Sequence, residues 1–155
     1  MKDERPKLLD ERTLLLAPTT RDAATSRKLL EAAGIPHCLC ATVADICREA
    51  DAGAGAAVVT AEAILGDREG RLVEWLKGQP PWSDLPLIVL TPAGADSPRL
   101  LKALEAIGHM TLMKRPVQVS TFVSAVQASL RDRKRQFAVR ELLAERARAA
   151  ETLRA

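Results

Sequence analysis

The chain has 155 residues, the size of one compact domain, and 47% of them are hydrophobic, which excludes wholesale disorder. Lys and Arg number 23 against 20 Asp and Glu, and a net charge of +3 points by itself to neither nucleic acid nor a membrane surface. Aromatic residues make up only 3%, with no Tyr, which argues against stacking platforms for bases or sugars and leaves the core to Ala, Leu, Val and Ile. No apolar run approaches the roughly 20 residues that span a bilayer. The start, MKDERPKLLDER, is too charged for a signal peptide. A soluble, cytoplasmic chain without membrane contact is expected.

Residues 13–17 (TLLLA) read as a first buried strand. Thr19 or Thr20 is placed to cap a helix to about Ala33, with Asp22 in its first turn and Gly34 at its end. Ala24, Leu29, Leu30 and Ala33 would form its apolar face. A weak second strand covers Pro36 to Ala41. Thr42 caps a short helix through Val43, Ile46 and Ala50, closed by Gly53 and Gly55. Residues 56–60 (AAVVT) are the third strand, followed by a helix from about Arg68 to Lys77 with Leu72, Val73 and Leu76 inward. The proline-rich stretch 78–86 (GQPPWSDLP) is a loop. Residues 87–91 (LIVLT) form the fourth strand. Ser97 then Pro98 opens a helix to about Ile107, Met110 to Lys114 is the fifth strand, and a long helix starts near Ser120.

Strands alternating with helices imply parallel pairing through right-handed crossovers. Five such units in about 130 residues give an α/β, flavodoxin-like, doubly wound five-stranded sheet of order 2-1-3-4-5 with an extended C-terminal helix. Cys38 and Cys40 stand two apart on a strand and face one way. Only His37 is near enough to join them in a metal site, so they read as thiols in a reducing compartment, and no metal or cofactor is expected.

In such a sheet any site lies at the carboxyl ends of the strands. Those ends carry Ala17-Pro18-Thr19-Thr20, Thr60, Thr91 and Lys114-Arg115-Pro116. Over roughly residues 12–131 the chain resembles the receiver domain of response regulators, in a degenerate, pseudo-receiver form. The stretch QPPWSDLPLIVLT is familiar from such modules attached to sensor histidine kinases. The resemblance implies a Ser or Thr at the end of the fourth strand, met by Thr91, and a Lys followed by Pro at the end of the fifth. Arg115-Pro116 stands there, and the resemblance suggests a cis peptide bond. It also implies an acidic pair after the first strand and a phosphoacceptor Asp after the third. Here Ala17 and Pro18 occupy the first place and Thr60 the second. Phosphoryl transfer to an aspartate needs a carboxylate nucleophile and a divalent cation, and a threonine hydroxyl is not ionised near neutral pH. Glu62 is the one acid close enough to rescue the site. Thr60, Thr91 and Arg115 would otherwise form a closed vestige, with a small anion as the alternative occupant.

No Pro or Gly interrupts residues 117–155, so helix can run on for some 35 residues, on the order of 50 Å. Residues 131–155 carry eight Arg or Lys against four Asp or Glu. Val139, Leu142, Arg146, Ala149 and Leu153 follow a heptad seam with one charged interruption, too short for a firm coiled coil but suited to a homodimer. The run RDRKR (131–135) reads as a solvated helix face. The chain accordingly divides into an N-terminal tail (1–11), a receiver-like domain (12–131) and a helical extension (132–155). It reads as a non-enzymatic signalling module of a two-component system, acting through protein contacts or dimerisation. Its surface would use Arg99, Lys102 and Glu105 with Gln118 and Gln127. The expected partners are another protein, or a kinase or PAS-type output in the same chain. Ending in mid-helix, it reads as the N-terminal part of a histidine kinase or similar regulator. The alternatives are a nucleic-acid-linked regulator using the basic helix, or a receiver whose phosphoacceptor is displaced to Glu62; a small-molecule site has no Gly-rich loop after the first strand to support it.

Overall fold

In the computed structural model, residues 9–17, 20–92 and 97–154 are described, without the side chains of Thr20 and Asp22. The elements run β1 (Thr13–Leu16), α1 (Thr20–Ala32), β2 (His37–Cys40), α2 (Val43–Ala52), β3 (Ala56–Thr60), α3 (Ala61–Gly66), α4 (Arg71–Lys77), β4 (Leu87–Thr91), α5 (Pro98–Ile107), β5 (Thr111–Lys114) and α6 (Val119–Arg154). The five strands pair in parallel in the order β2-β1-β3-β4-β5, the order expected from the sequence. Leu14 lies opposite Ala57, Val59 opposite Val89, and Thr91 opposite Lys114.

Every residue of β1, β3 and β4 is buried, because helices cover both faces of the sheet. Successive side chains point to opposite faces. Leu14, Leu16, Val59 and Val89 therefore meet Ile46, Ile64, Leu72, Leu100 and Leu104 from α2 to α5. Leu15, Val58, Ile88 and Leu90 meet Leu30, Phe122 and Val126 from α1 and α6 on the other side. Among the described residues no helix is long and apolar enough to cross a membrane.

Local sequence accounts for most element ends. Thr42 caps α2 in a reciprocal box, its side chain accepting from Asp45 N while Asp45 accepts from Thr42 N. Those bonds and the Arg48 guanidinium hold the Asp45 carboxyl below its ordinary range. Ser97 accepts from Leu100 N, and Pro98 fills the first helical position of α5. Thr19, the alternative cap of α1, lies outside the described residues, as do Pro18 and the side chain of Asp22.

Three expectations need correction. The helix expected to end at Lys77 forms over Arg71–Lys77, and a short helix not expected, Ala61–Gly66, precedes it. Thr60 caps α3, Gly70 breaks the chain with φ 66°, and the Asp67 carboxylate accepts from Arg71 N and Leu72 N to start α4. On α1 the inward residues are Ala23, Ser26 and Leu30, whereas Ala24 is exposed. Third, the run 131–135 is not uniformly solvated, because Arg133 is only 4% exposed.

Gly55, just before the central strand β3, lets α6 lie close against the amino ends of the strands. A Cβ there would stand 2.5 Å from Leu130 Cδ2 and 2.8 Å from the Asp10 carbonyl oxygen, so only glycine fits.

Candidate functional site

The carboxyl ends of β1, β3, β4 and β5 converge as the topology requires, and the side chains of Thr60, Thr91 and Arg115 there each have a structural use. Thr60 is 1% exposed, and its hydroxyl accepts from Ala63 N at 3.3 Å as the cap of α3. Thr91 is buried and donates through Oγ1 to the Met113 carbonyl at 3.5 Å. The Thr91 carbonyl in turn accepts from Arg115 N at 2.8 Å and from Arg115 Nε at 3.5 Å. Arg115 is half-buried, Pro116 is exposed, and the bond between them is cis, as the resemblance suggests. Arg115 Nη2 is paired with Glu62 Oε1. The acid considered for rescue is thus committed to the cation that stands where a lysine was expected. Lys114, one residue earlier, is exposed. Ala17 is half-buried and offers no ligand. Among the described residues no three His, Cys, Asp or Glu gather as a metal site. Among the described residues, hydroxyl-to-backbone bonds and the Arg115–Glu62 ion pair hold these strand ends, and no carboxylate stands at the expected positions.

On β2, Cys38 and Cys40 face one way, and both pack against the same core. Burial and the neighbouring Cys38 push the Cys40 thiol up to about 12, far from a reactive thiolate at neutral pH. Burial likewise raises the Cys47 thiol.

The residues expected on an interaction face are all exposed: Arg99, Lys102, Glu105, Gln118 and Gln127. Arg99 also reaches back to the Leu65 carbonyl at 3.4 Å, tying α5 to α3. The sequence reading missed three apolar residues on the same elements. Leu101 on α5, Leu112 on β5 and Val119 at the start of α6 are each at least half exposed. The signal for Leu112 was present in the alternation of TLMK, which turns Met113 inward and its neighbours out.

The densest polar network lies elsewhere, where the proline-rich loop before β4 meets α6. Arg133 donates from Nε to the Ala54 carbonyl at 3.0 Å and from Nη1 to Ser83 Oγ at 2.8 Å and Gln136 Oε1 at 2.7 Å. Its guanidinium carbon stands 5.6 Å from the Trp82 ring centroid and 4.6 Å from that of Phe137. Gln136 pairs with the backbone of Asp84 on both sides, accepting from its N and donating to its O at 2.8 Å each. Arg140 lies over the same two rings and pairs with Asp10 at 3.3 Å. Desolvation pulls the Arg133 guanidinium down to about 10, so it stays charged at neutral pH. These contacts fix α6 to the body as far as Arg140, past the division placed after Arg131. They also take Arg133 out of the basic run, which leaves a polyanion less charge to meet. From Val139 outward the seam residues Val139, Leu142, Ala149 and Leu153 are exposed, Leu153 by 89%.

No family model matches the sequence, and no curated protein matches it. Solved structures do match. The signal receiver domain of a signal transduction histidine kinase from Syntrophus aciditrophicus aligns with a TM-score of 0.65 at 19% identity, over 79% of this chain and 91% of that one. The receiver domain of a sensor histidine kinase from Pseudomonas aeruginosa, with a magnesium ion coordinated in its active-site cleft, aligns with a TM-score of 0.64 at 17% identity, over 77% and 97%. A chain carrying the trimeric coiled-coil segment of yeast Spc42 fused to another structure aligns over 93% of this chain and 94% of its own, with a TM-score of 0.65 at 16% identity. The chain has the fold of response-regulator receiver domains, with a long helix added at its C-terminal end.

Proposed function

We propose that this protein is a receiver-like signalling module of a two-component system that takes no phosphoryl group. It works as an interaction module, without enzymatic activity, through protein contacts and self-association. One observation carries the reading: at the strand ends where a receiver needs three carboxylates stand Ala17, Pro18 and Thr60, and the Thr60 hydroxyl is bound as a helix cap. A magnesium site needs about one or two carboxylates with waters completing an octahedron. The magnesium-bearing Pseudomonas neighbour shares the fold, and this chain lacks the ligands in those places. Glu62, held by Arg115, is a poor substitute acceptor.

In this reading the output runs through α6. Its first part is fixed to the body, and its last part presents Val139, Leu142, Ala149 and Leu153 to a second copy. The partners are a kinase or PAS-type output in the same chain, or a separate protein docked on α5, β5 and the start of α6, in the cytoplasm.

The test is an amide NMR spectrum before and after adding magnesium with beryllofluoride, which mimics an aspartyl phosphate. An unchanged spectrum at Thr60, Thr91 and Arg115 is expected. Saturable shifts clustered there would overturn the reading and make Glu62 the acceptor. Sedimentation equilibrium on the same chain is expected to give a dimer.

A further inference from the structure

A groove of about 570 Å³ runs along the distal part of α6 and is lined by residues of that helix. Val139, Leu142, Leu143 and Ala149 supply its apolar surface, and Glu145 and Arg146 stand among them. All six are exposed. At about 100° of rotation per residue, Arg146 falls in the middle of the stripe formed by Val139, Leu142, Ala149 and Leu153, and Glu145 falls at its margin. Among the described residues neither of these two side chains has an ion pair or a hydrogen bond; the neighbouring Arg140 is the one that pairs, with Asp10 and with Glu141. With Val139 at position a of a heptad and Leu142 at d, the seam continues through Arg146 at a, Ala149 at d and Leu153 at a. Leu142, Glu145, Arg146 and Ala149 are then positions d, g, a and d. Those four make the hole that receives a side chain at position a of a helix running parallel.

We propose that this groove receives the same segment of a second copy, parallel and in register, and that Arg146 and Glu145 select that partner by pairing reciprocally across the seam. The inference rests on the self-association proposed above and names the residues that direct it. The side chain entering the hole is Arg146 of the second copy, and its head leaves the seam toward Glu145. The two-fold axis repeats the pair, so each copy gives one cation and one acid. A purely apolar partner helix would cover Arg146 without supplying an acid, and a charge buried without a partner is costly. In an antiparallel pair position g faces g, so Glu145 would meet its own copy or Thr152, and Arg146 would lose its acid. Exposed ion pairs add little affinity. The leucines hold the two helices together, and the charges decide which helix is held and in what register.

The experiment is sedimentation equilibrium of the full chain and of two variants at exposed positions. Glu145→Arg puts two arginines at each hole and Arg146→Glu puts two glutamates there, so each alone should weaken self-association at least about tenfold through like-charge repulsion. An equimolar mixture of the two restores opposite charges at both holes and should associate within about threefold of the parent chain. Native mass spectrometry of the mixture should show mainly the mixed pair. Variants that associate as tightly as the parent, or a mixture no tighter than its components, overturn the pairing and leave self-association standing. A parent chain that stays monomeric at every concentration overturns both. Orientation is read by oxidising Leu153→Cys, which should give covalent dimer in excess of the parent chain, whose own cysteines are Cys38, Cys40 and Cys47. An antiparallel pair holds the two copies of residue 153 at opposite ends, so no excess overturns the parallel arrangement.

Discussion

Helix α6 is one unbroken element with two regions that behave differently. From Phe122 to Arg140 its inner side carries Phe122, Val126, Arg133, Phe137 and Arg140, and all of these touch the body. From Val139 onward the large apolar residues are Val139, Leu142, Leu143 and Leu153, and all are exposed. Leu142 lies nine residues after Arg133, about two and a half turns, and so faces the opposite side of the helix. The helix has no single apolar side. It has one stripe for its own domain and a second, turned away, that leaves a partner room to approach without meeting the body. Continuity of backbone and continuity of role are separate properties.

The comparison breaks most visibly by truncation. A chain cut after Arg131 loses Arg133, Gln136, Phe137 and Arg140 together. We expect it to lose on the order of 5 kcal/mol of stability, from lost packing and orphaned hydrogen-bond partners. A chain cut after Arg140 should unfold within about 0.5 kcal/mol of a monomeric full-length variant. Thermal unfolding of the two chains distinguishes anchor from extension, and equal losses would deny that they differ.

Arg133→Ala should cost about 3 kcal/mol, since it opens a cavity between Trp82 and Phe137 and leaves the Ala54 carbonyl unpaired. Arg133→Met, which refills the volume without burying a charge, should recover at least half of that. Urea unfolding of the pair tests whether shape or charge matters more at this point.

In the distal region, Leu142→Lys should shift sedimentation equilibrium toward monomer by at least about tenfold in the dissociation constant. The melting of the body, measured at a concentration where both chains are monomeric, should not move. A loss of body stability would place Leu142 in the anchored region instead.

An effect read on pH rather than on sequence sharpens the contrast with the sheet. Folding keeps the proton on Cys40 up to about pH 12, against an ordinary value near 9. Its contribution is therefore complete below pH 9, and it is lost above that, because the unfolded thiol ionises first. Stability should fall by about 1 kcal/mol per pH unit as pH rises from 9 toward 12. Cys40→Ala should flatten that slope, as read from melting at pH 8 and pH 10.5.

The sheet order and most strand ends were legible, because buried parallel strands read as short runs of Leu, Val and Ile between helical patterns. The caps at Thr42 and Ser97 were legible from residue type and spacing alone. The helix α3 was not, because six residues are too few to show a period, and Thr60 looked like the end of a strand when it also starts a helix. The Trp82 anchor escaped for a different reason. Two of its partners on α6, Arg133 and Arg140, are polar, so a search for apolar periodicity passes over them, and the stacking of a cation against the Trp82 and Phe137 rings leaves no such mark. The pairing of Arg115 with Glu62, 53 residues apart, is likewise a product of the topology. Sequence showed that the carboxylates were missing, and only the folded chain shows what had taken up the hydroxyls.

Gly55 gives the long helix a fulcrum. Its missing side chain leaves room for both Leu130 and the Asp10 carbonyl to approach the Gly55 backbone, and from Leu130 to Arg154 the helix extends about 36 Å at ~1.5 Å per residue. Over that arm a tilt of about 5° at the contact displaces the tip by about 3 Å, enough to move one side chain out of register with a neighbour. One methyl group added at residue 55 would wedge the arm where the leverage is greatest. The far end of the protein is thus aimed by an atom that is not there.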